Sequence, residues 1–300
     1  MAIPEQQLTT WSHQGAIVTA QAAHTAVRNA LAAANSPIRS LDYEVYLQGS
    51  YRSDTNVRAD SDVDVVVQLN ATFGYDLARL PVDQSQSFHA SYPEPATYLW
   101  NHFRADVLRA LRLSYGAPAI TEGNRCLKIP AAPGRVAADV LPAIQYRKYE
   151  YFHGTSVQSF HEGVKFYDRS GRMVVNFPKA HYDNGVEKNS QLRTAGRYKP
   201  AVRMFKNARS CAVERGYLAG GAAPSYFIDC LIWNVPDDKF VASLQQTYCN
   251  VVNYLHDNPI AGFLCRNGLG PLFGTSPEQW TEAAARRFIA ALVRLWNEWS

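Results

Sequence analysis

The spacing of apolar residues changes character along the chain. Ala16, Ala20, Ala23, Val27, Ala30 and Ala34 recur three and four residues apart, which predicts one helical stripe from Thr10 to Ala34, ended by Asn35-Ser36-Pro37. The period then shortens to two. Asp42 to Leu47 reads as a strand, Gly49 to Ala59 as a turn-rich stretch or short helix, and Asp62 to Leu69 as a second strand rich in β-branched residues. Pro81 to Pro95 carries no periodic pattern. Thr97 to Tyr115 reads as a helix presenting Leu99, Phe103, Val107, Ala110 and Leu111 to a core. Two short strands are expected at Cys126 to Ile129 and at Val136 to Leu141, the second closed by Pro142, and a hairpin at Asp168 to Gly171. Beyond Phe177-Pro178 the pattern turns helical, over Arg197 to Arg215, Pro224 to Trp233, Lys239 to Leu255 and Pro277 to Trp299. Ser276, Pro277 and Gln279 suit the N-cap, first position and capping-box partner of the last helix, which the Trp296 and Trp299 pair is expected to pack. The order predicts an α+β catalytic half over residues 1–180, with the first helix spanning both lobes, and a helical half over 181–300, with a ligand cleft between them.

Composition narrows the classes. The chain of 300 residues is 47% hydrophobic, enough for a sizeable core. Its formal charge of +4 does not demand a long nucleic-acid track. Cys126, Cys211, Cys230, Cys249 and Cys265 show no metal-binding spacing, and His153, His161 and His181 form no metal motif. No segment approaches the roughly 18 apolar residues of a membrane span. A reduced cytoplasmic protein without structural zinc and without a membrane partner is the expectation.

Candidate chemistry sits on the second strand. In Asp62-Val63-Asp64-Val65-Val66-Val67, alternation projects Asp62 and Asp64 to one face, about 7 Å apart at the backbone, while Val63, Val65 and Val67 enter the core. Like charges on one face call for a counter-ion, and hard divalent cations take carboxylate oxygens. Mg2+ fits these ligands and a triphosphate together, and two ions about 4 Å apart activate an attacking hydroxyl while stabilising departing pyrophosphate. A third carboxylate is needed, and Asp139, on the strand-like Val136 to Leu141, is the best candidate; Asp42 and Glu44 are less attractive. Upstream lies Gly49-Ser50, a turn whose backbone can approach a phosphate and whose hydroxyl adds a donor.

Strand, Gly-Ser, a short Arg- and Thr-containing spacer and an Asp-x-Asp strand together resemble the DNA polymerase β-like nucleotidyltransferases. The fuller strings Gly49-Ser50-Tyr51-Arg52-Ser53-Asp54-Thr55 and Ser61-Asp62-Val63-Asp64-Val65, with Asp139-Val140-Leu141-Pro142, Lys188-Asn189, Lys206 and Pro224-Ser225-Tyr226, resemble the bacterial cGAS/DncV-like members. The resemblance implies a mixed-sheet nucleotidyltransferase core packed against a C-terminal helical domain. It implies Asp62, Asp64 and Asp139 as catalytic metal ligands for two Mg2+ ions, with Mn2+ as a substitute, and Gly49, Ser50, Thr55, Lys206 and Ser225 as triphosphate contacts. Tyr226 would stack on a base. It further implies ATP and GTP as substrates and a cyclic dinucleotide of mixed adenine and guanine composition. That product would be read by a separate effector in anti-phage signalling, with no long double-stranded DNA activator. Linear 2′-5′ oligoadenylate synthesis, nucleotidyl transfer to a small molecule or tRNA, and a catalytically silent nucleotide-binding module are the competing readings.

The second half adds charge. Lys188, Arg193, Arg197, Lys199, Arg203, Lys206, Arg209 and Arg215 stand against Glu214 alone. On a helix, Lys199, Arg203 and Lys206 share a face opposite Met204, Phe205, Ala208, Cys211 and Ala212, so Lys199 and Arg203 are expected to support a phosphate contact made by Lys206. Asn176, His181, Asn184 and Asn189 are candidates for contacts to base edges, unranked by sequence.

Overall fold

The computed structural model describes residues 2–15, 18–57, 62–132 and 136–300. Ala16, Arg58, Ala59 and Ser61, which the sequence reading includes, lie outside the described residues. In chain order the elements are α1 (Glu5–Ser12), α2 (Val18–Ala32), β1 (Tyr43–Leu47), α3 (Gly49–Arg52), β2 (Val63–Asp76), α4 (Val82–Ser91), α5 (Trp100–Tyr115), β3 (Thr121–Glu122), β4 (Leu127–Ile129), β5 (Ala138–Phe152), β6 (Gln158–Tyr167), β7 (Met173–Asn176), α6 (Pro178–Lys188), α7 (Tyr198–Glu214), α8 (Ser225–Trp233), α9 (Leu244–Asp257) and α10 (Glu282–Asn297). Contacts group them into two units.

The first unit comprises Ile17–Tyr51 and Asp60–Lys179 and carries the described strands as one sheet, ordered β1-β2-β5-β4-β3, with β6 and β7 continuing from β5. β2 runs antiparallel to β1 and parallel to β5. Val63, Val65, Val67 and Leu69 are fully buried with Ala20, Ala23, Val27 and Leu31 of α2 and Phe103, Val107 and Leu111 of α5. Each Val, Leu or Phe among them contributes about 1.5–3 kcal/mol by burial. The other sheet face buries Val66, Leu141, Ala143, Val164, Phe166 and Val174. This two-sided burial explains the near-continuous valine run of β2.

The second unit comprises Met1–Ala16, Arg52–Ala59 and Ala180–Ser300. Its core surrounds α7, which buries Tyr198, Ala201, Val202, Met204, Phe205, Ala208 and Ala212. Phe205 stacks on Tyr248, which in turn stacks on Trp296, while Trp299 meets Trp11 edge-on. Ile3 and Leu8 belong to this core. The two units part between Lys179 and Ala180, beside the expected division at residue 180, and differ from the expectation in that α1 and the 52–59 segment belong with the C-terminal helices.

Other differences have local causes. The single helix expected over 10–34 is two: α1 ends at His13 in extended backbone, and α2 starts at Val18. Leu99 is the N-cap of α5 and is 47% exposed rather than buried. Pro142 does not close β5. It falls between the β4 ladder, which ends at Val140, and the β6 ladder, which starts at Ile144, so the missing N–H removes no ladder bond there. Its carbonyl accepts from Trp100 Nε1 at 2.8 Å. The Pro81–Pro95 stretch contains α4, anchored by buried Phe88 among Tyr149 and Phe152. Ser276-Pro277 does not start the last helix. Ser276 N donates to Gln279 Oε1 at 3.2 Å in a turn, and the N-cap is Thr281, whose hydroxyl accepts from Ala284 N. Buried Trp280 intervenes, bridging to Phe273.

Candidate active site

The carboxylates gather on one sheet face. Asp64 and Asp139 are direct partners across the parallel β2–β5 ladder, and Asp62 precedes Asp64 by one strand repeat on the exposed edge of the same face. Parallel pairing puts both side chains at one level without a turn between them, so the distant third acid arrives by topology. Gly49 adopts φ 68°, and a Cβ there would stand 2.3 Å from Asp64 Oδ2. Only glycine lets the start of α3 lie against that carboxylate. Ser50 follows in the same turn.

Burial first, then the charges of Asp139 and Asp62, lift the Asp64 carboxyl to about 7. Lys128, opposite Asp139 on β4, brings Nζ to 3.8 Å from Asp139 Oδ1 and gives partial relief. Burial and then the Asp139 charge push the Cys126 thiol up to about 12, so it stays protonated. Sequence reasoning missed Lys128; the alternation Leu127-Lys128-Ile129 was the available signal, since it puts a charge on the face away from the core. Among the described residues no group of three or more His, Cys, Asp and Glu is drawn together closely enough to hold a metal ion. The donor chemistry nevertheless fits a hard divalent cation: oxygen ligands, adjacent like charges, and one carboxyl whose ionisation is opposed by its neighbours.

In the second unit, Lys206 and Thr55 come together. Lys206 Nζ donates to Thr55 O at 3.1 Å and Thr55 Oγ1 at 3.0 Å, leaving one N–H, and both residues are buried. Burial, partly offset by Asp229, lowers the Lys206 ammonium to about 8. Lys199 and Arg203, the expected supporting charges, are engaged inside the unit. Lys199 Nζ is held by Asp54 Oδ2 at 2.8 Å, and Arg203 donates to the carbonyls of Ser12 and Asp54. Much of the local basic excess is spent this way. Lys188 Nζ donates to Val235 O and Asp237 Oδ1, Arg193 pairs with Asp237, and Arg209 donates to Ala223 O. These cations close carbonyls and acids inside the unit.

Ser225 is the first residue of α8, and its hydroxyl has no hydrogen-bond partner among the described residues. The Tyr226 ring is 43% exposed, but His181 covers one face, with centroids 5.2 Å apart at 19°. Phe227 meets the same ring edge-on, with centroids 5.4 Å apart. Burial first, then the neighbouring Cys230 and Cys265, raise the Tyr226 hydroxyl. Of the four base-contact candidates, Asn184 Nδ2 donates to Arg266 O and Asn189 Oδ1 accepts from Lys199 N. His181 is half-buried, and its buried Nδ1 is unpartnered. Asn176 ends β7 opposite Val164, hence on the sheet face that carries Asp64 and Asp139, and its amide makes no hydrogen bond among the described residues.

Sequence reasoning also missed Asp229, Arg266 and Ser53. Arg266 is fully buried, with Nη1 donating to Asp229 Oδ1 at 2.7 Å and Nη2 to Ser53 Oγ at 2.7 Å. Asp229 was detectable as a lone charge inside Phe227-Ile228-Asp229-Cys230-Leu231-Ile232, where burial requires a partner.

Comparison with known proteins bears on both units. Residues 183–297 match the family described as the cGAS/DncV-like nucleotidyltransferase C-terminal helical domain, and residues 27–96 match the nucleotidyltransferase domain. A cyclic UMP-AMP synthase of Rhodothermus marinus is 46% identical, covering 100% of this chain and 99% of that protein. A solved structure of the R. marinus CdnE c-UMP-AMP synthase with Apcpp and Upnpp superposes with a TM-score of 0.88 at 44% identity, over 99% of this chain and 98% of that one. A cyclic dipurine nucleotide synthase of Elizabethkingia meningoseptica is 33% identical over 86% of each chain. The described helices include none long and apolar enough to cross a membrane.

Proposed function

We propose, because the chain belongs to the cGAS/DncV-like nucleotidyltransferases, that it joins two nucleoside triphosphates into a cyclic dinucleotide and releases pyrophosphate at each of two transfers. The observation that carries the reading is the pairing of Asp64 with Asp139 across β2 and β5, with Gly49 packed on Asp64. In each transfer a ribose hydroxyl oxygen bonds to an α-phosphorus, the bond from that phosphorus to the pyrophosphate oxygen breaks, and the hydroxyl proton passes to water. The second transfer, within the linear intermediate, closes the ring.

Asp62, Asp64 and Asp139 would hold Mg2+, or Mn2+ in its place. When bound, the metal supplies acceptor activation and charge neutralisation at the α-phosphate. The backbone of Gly49 and the hydroxyl of Ser50 orient phosphate oxygens. The remaining Lys206 N–H and the free Ser225 hydroxyl are the triphosphate donors in the helical unit, with Thr55 fixing Lys206. Lys206→Ala is expected to raise KM for the triphosphate about 10- to 100-fold, the worth of a charge-assisted hydrogen bond, without loss of folding. Pyrophosphate release against nucleotide concentration, with a melting curve, checks it; an unchanged KM would remove Lys206 from the site.

For the bases, adenine with uracil is favoured by the full-length relative named a cyclic UMP-AMP synthase, whereas the adenine and guanine pair implied by the resemblance is favoured by the dipurine relative. Asn176 is the proposed reader, because its free amide lies on the carboxylate face. The test is pyrophosphate release with each NTP alone and in every pair. Fast release restricted to ATP plus UTP supports the first reading, and restriction to ATP plus GTP supports the second. Asn176→Ala should change the preference between pairs about tenfold or more while leaving the sum of turnover less affected; an unaltered preference would exclude it. A separate effector reading the product, and activity without long double-stranded DNA, complete the proposal.

A further inference from the structure

Three parts of the helical unit that are far apart in sequence meet at one guanidinium. Besides Asp229 and Ser53, Arg266 holds the His181 carbonyl through Nε at 2.8 Å. Tyr198 donates to the same Asp229 oxygen at 2.6 Å, and the Arg266 backbone is fixed by Asn184. Room for the guanidinium exists because residue 185 is glycine: a Cβ there would stand 2.9 Å from Arg266 Cζ. A fully buried arginine is costly unless paired and hydrogen-bonded, and here a carboxylate supplies the pairing. The remaining edge of the fork is directed at Ser53. Ser53 begins the segment in which Thr55 holds Lys206 and Asp54 is held by Lys199 and Arg203. Asp54 has φ 55°, in the left-handed region that residues other than glycine seldom adopt.

We propose that Arg266 is a positioning residue for nucleotidyl transfer, holding Ser53 so that Thr55 and Lys206 are kept in register for the triphosphate. The inference rests on the triphosphate role assigned above. Neutralisation of Asp229 needs only a positive charge, which Lys would supply; the directed contact to Ser53 needs the planar fork. Charge and geometry can therefore be separated.

The test compares Ser53→Ala, Arg266→Lys and the pair in the full chain. Amide hydrogen exchange over residues 52–57 should quicken about tenfold or more in each single variant, with protection of α9 and α10 unchanged. KM for the triphosphate should rise about tenfold, and the double variant should be no worse than the poorer single one. A merely structural role would lower the folded fraction at unchanged KM. Unchanged exchange over 52–57 in folded Ser53→Ala, or quickened exchange with wild-type KM, would overturn the assignment. Should the wild type release no pyrophosphate, the proposed reaction fails, while the exchange comparison still upholds or overturns the hold of Arg266 on Ser53.

Discussion

Replacing Asp62 and Asp64 together by asparagine is expected to cut pyrophosphate release by at least about a hundred- to a thousandfold, while the metal-free protein melts no lower than the wild type. Both halves of this expectation follow from the same geometry. Asp64 is packed under Gly49 and stands beside Asp139, so its negative charge is opposed by burial and by its neighbours. Such crowding does nothing for the fold. Val63, Val65 and Val67, on the other face of β2, carry the packing and are untouched by the change. A wild-type rate in the folded double variant would remove the carboxylates from the chemistry, and collapse of the fold would contradict their separation from the core. Pyrophosphate release and a thermal melt on one preparation decide both points.

Asp229→Ala is expected to destabilise the protein by about 3–5 kcal/mol, because it strands the buried Arg266 charge. The same group makes the fold acid-sensitive. Burial alone would raise the Asp229 carboxyl, but Arg266 and then Lys206 hold it at about 2, below the ordinary value of about 3.9. Its contribution is therefore complete above about pH 4 and is lost as pH falls toward 2. His181 acts earlier in an acid titration. Burial, then Arg266, hold its imidazole at about 3, so the folded form stays neutral while the unfolded chain takes up a proton below about pH 6.5. Asp64, lifted to about 7, has the opposite sign and adds stability as pH falls below 7, so the network is read in the Asp62→Asn/Asp64→Asn background, where stability should fall from about pH 6.5 downward, with a second loss below about pH 4. Urea unfolding across that range measures it. In Asp229→Ala the lower step should vanish, and a stability independent of pH between 3 and 7 would contradict the buried network.

What the sequence disclosed depended on whether the informative contacts were local. Strand alternation showed that Asp62 and Asp64 share a face, and a strand-like context selected Asp139; the parallel register that joins Asp64 to Asp139 is a tertiary fact consistent with both. Gly49 was legible as a turn, but its close approach to Asp64 was not. The helix from Arg197 to Arg215 was found from its apolar stripe, whereas the partners of its cations inside the unit were not. Those partners are the carbonyls of Ser12, Asp54, Thr55 and Ala223, the Asp54 carboxylate and the Thr55 hydroxyl, which no composition count reveals. Helix α4 escaped because it is anchored by one aromatic, Phe88, rather than by a repeating stripe. Ser276-Pro277 misled because a capping-box pattern also describes a turn, and burial of Trp280 delays the helix to Thr281. Arg266 was unreadable, since an isolated arginine between Cys265 and Asn267 carries no sign of the acid and the serine that claim it.

The central claim, two successive metal-dependent transfers that close a ring, is tested most directly by mass spectrometry of phosphatase-treated products. The full chain is incubated with all four NTPs and Mg2+, beside the Asp62→Asn/Asp64→Asn variant and a sample containing chelator. The account predicts a phosphatase-resistant cyclic dinucleotide from the wild type alone, lost with chelator and in the double variant. Only linear, phosphatase-sensitive products, or a cyclic product that persists in the double variant, would contradict it.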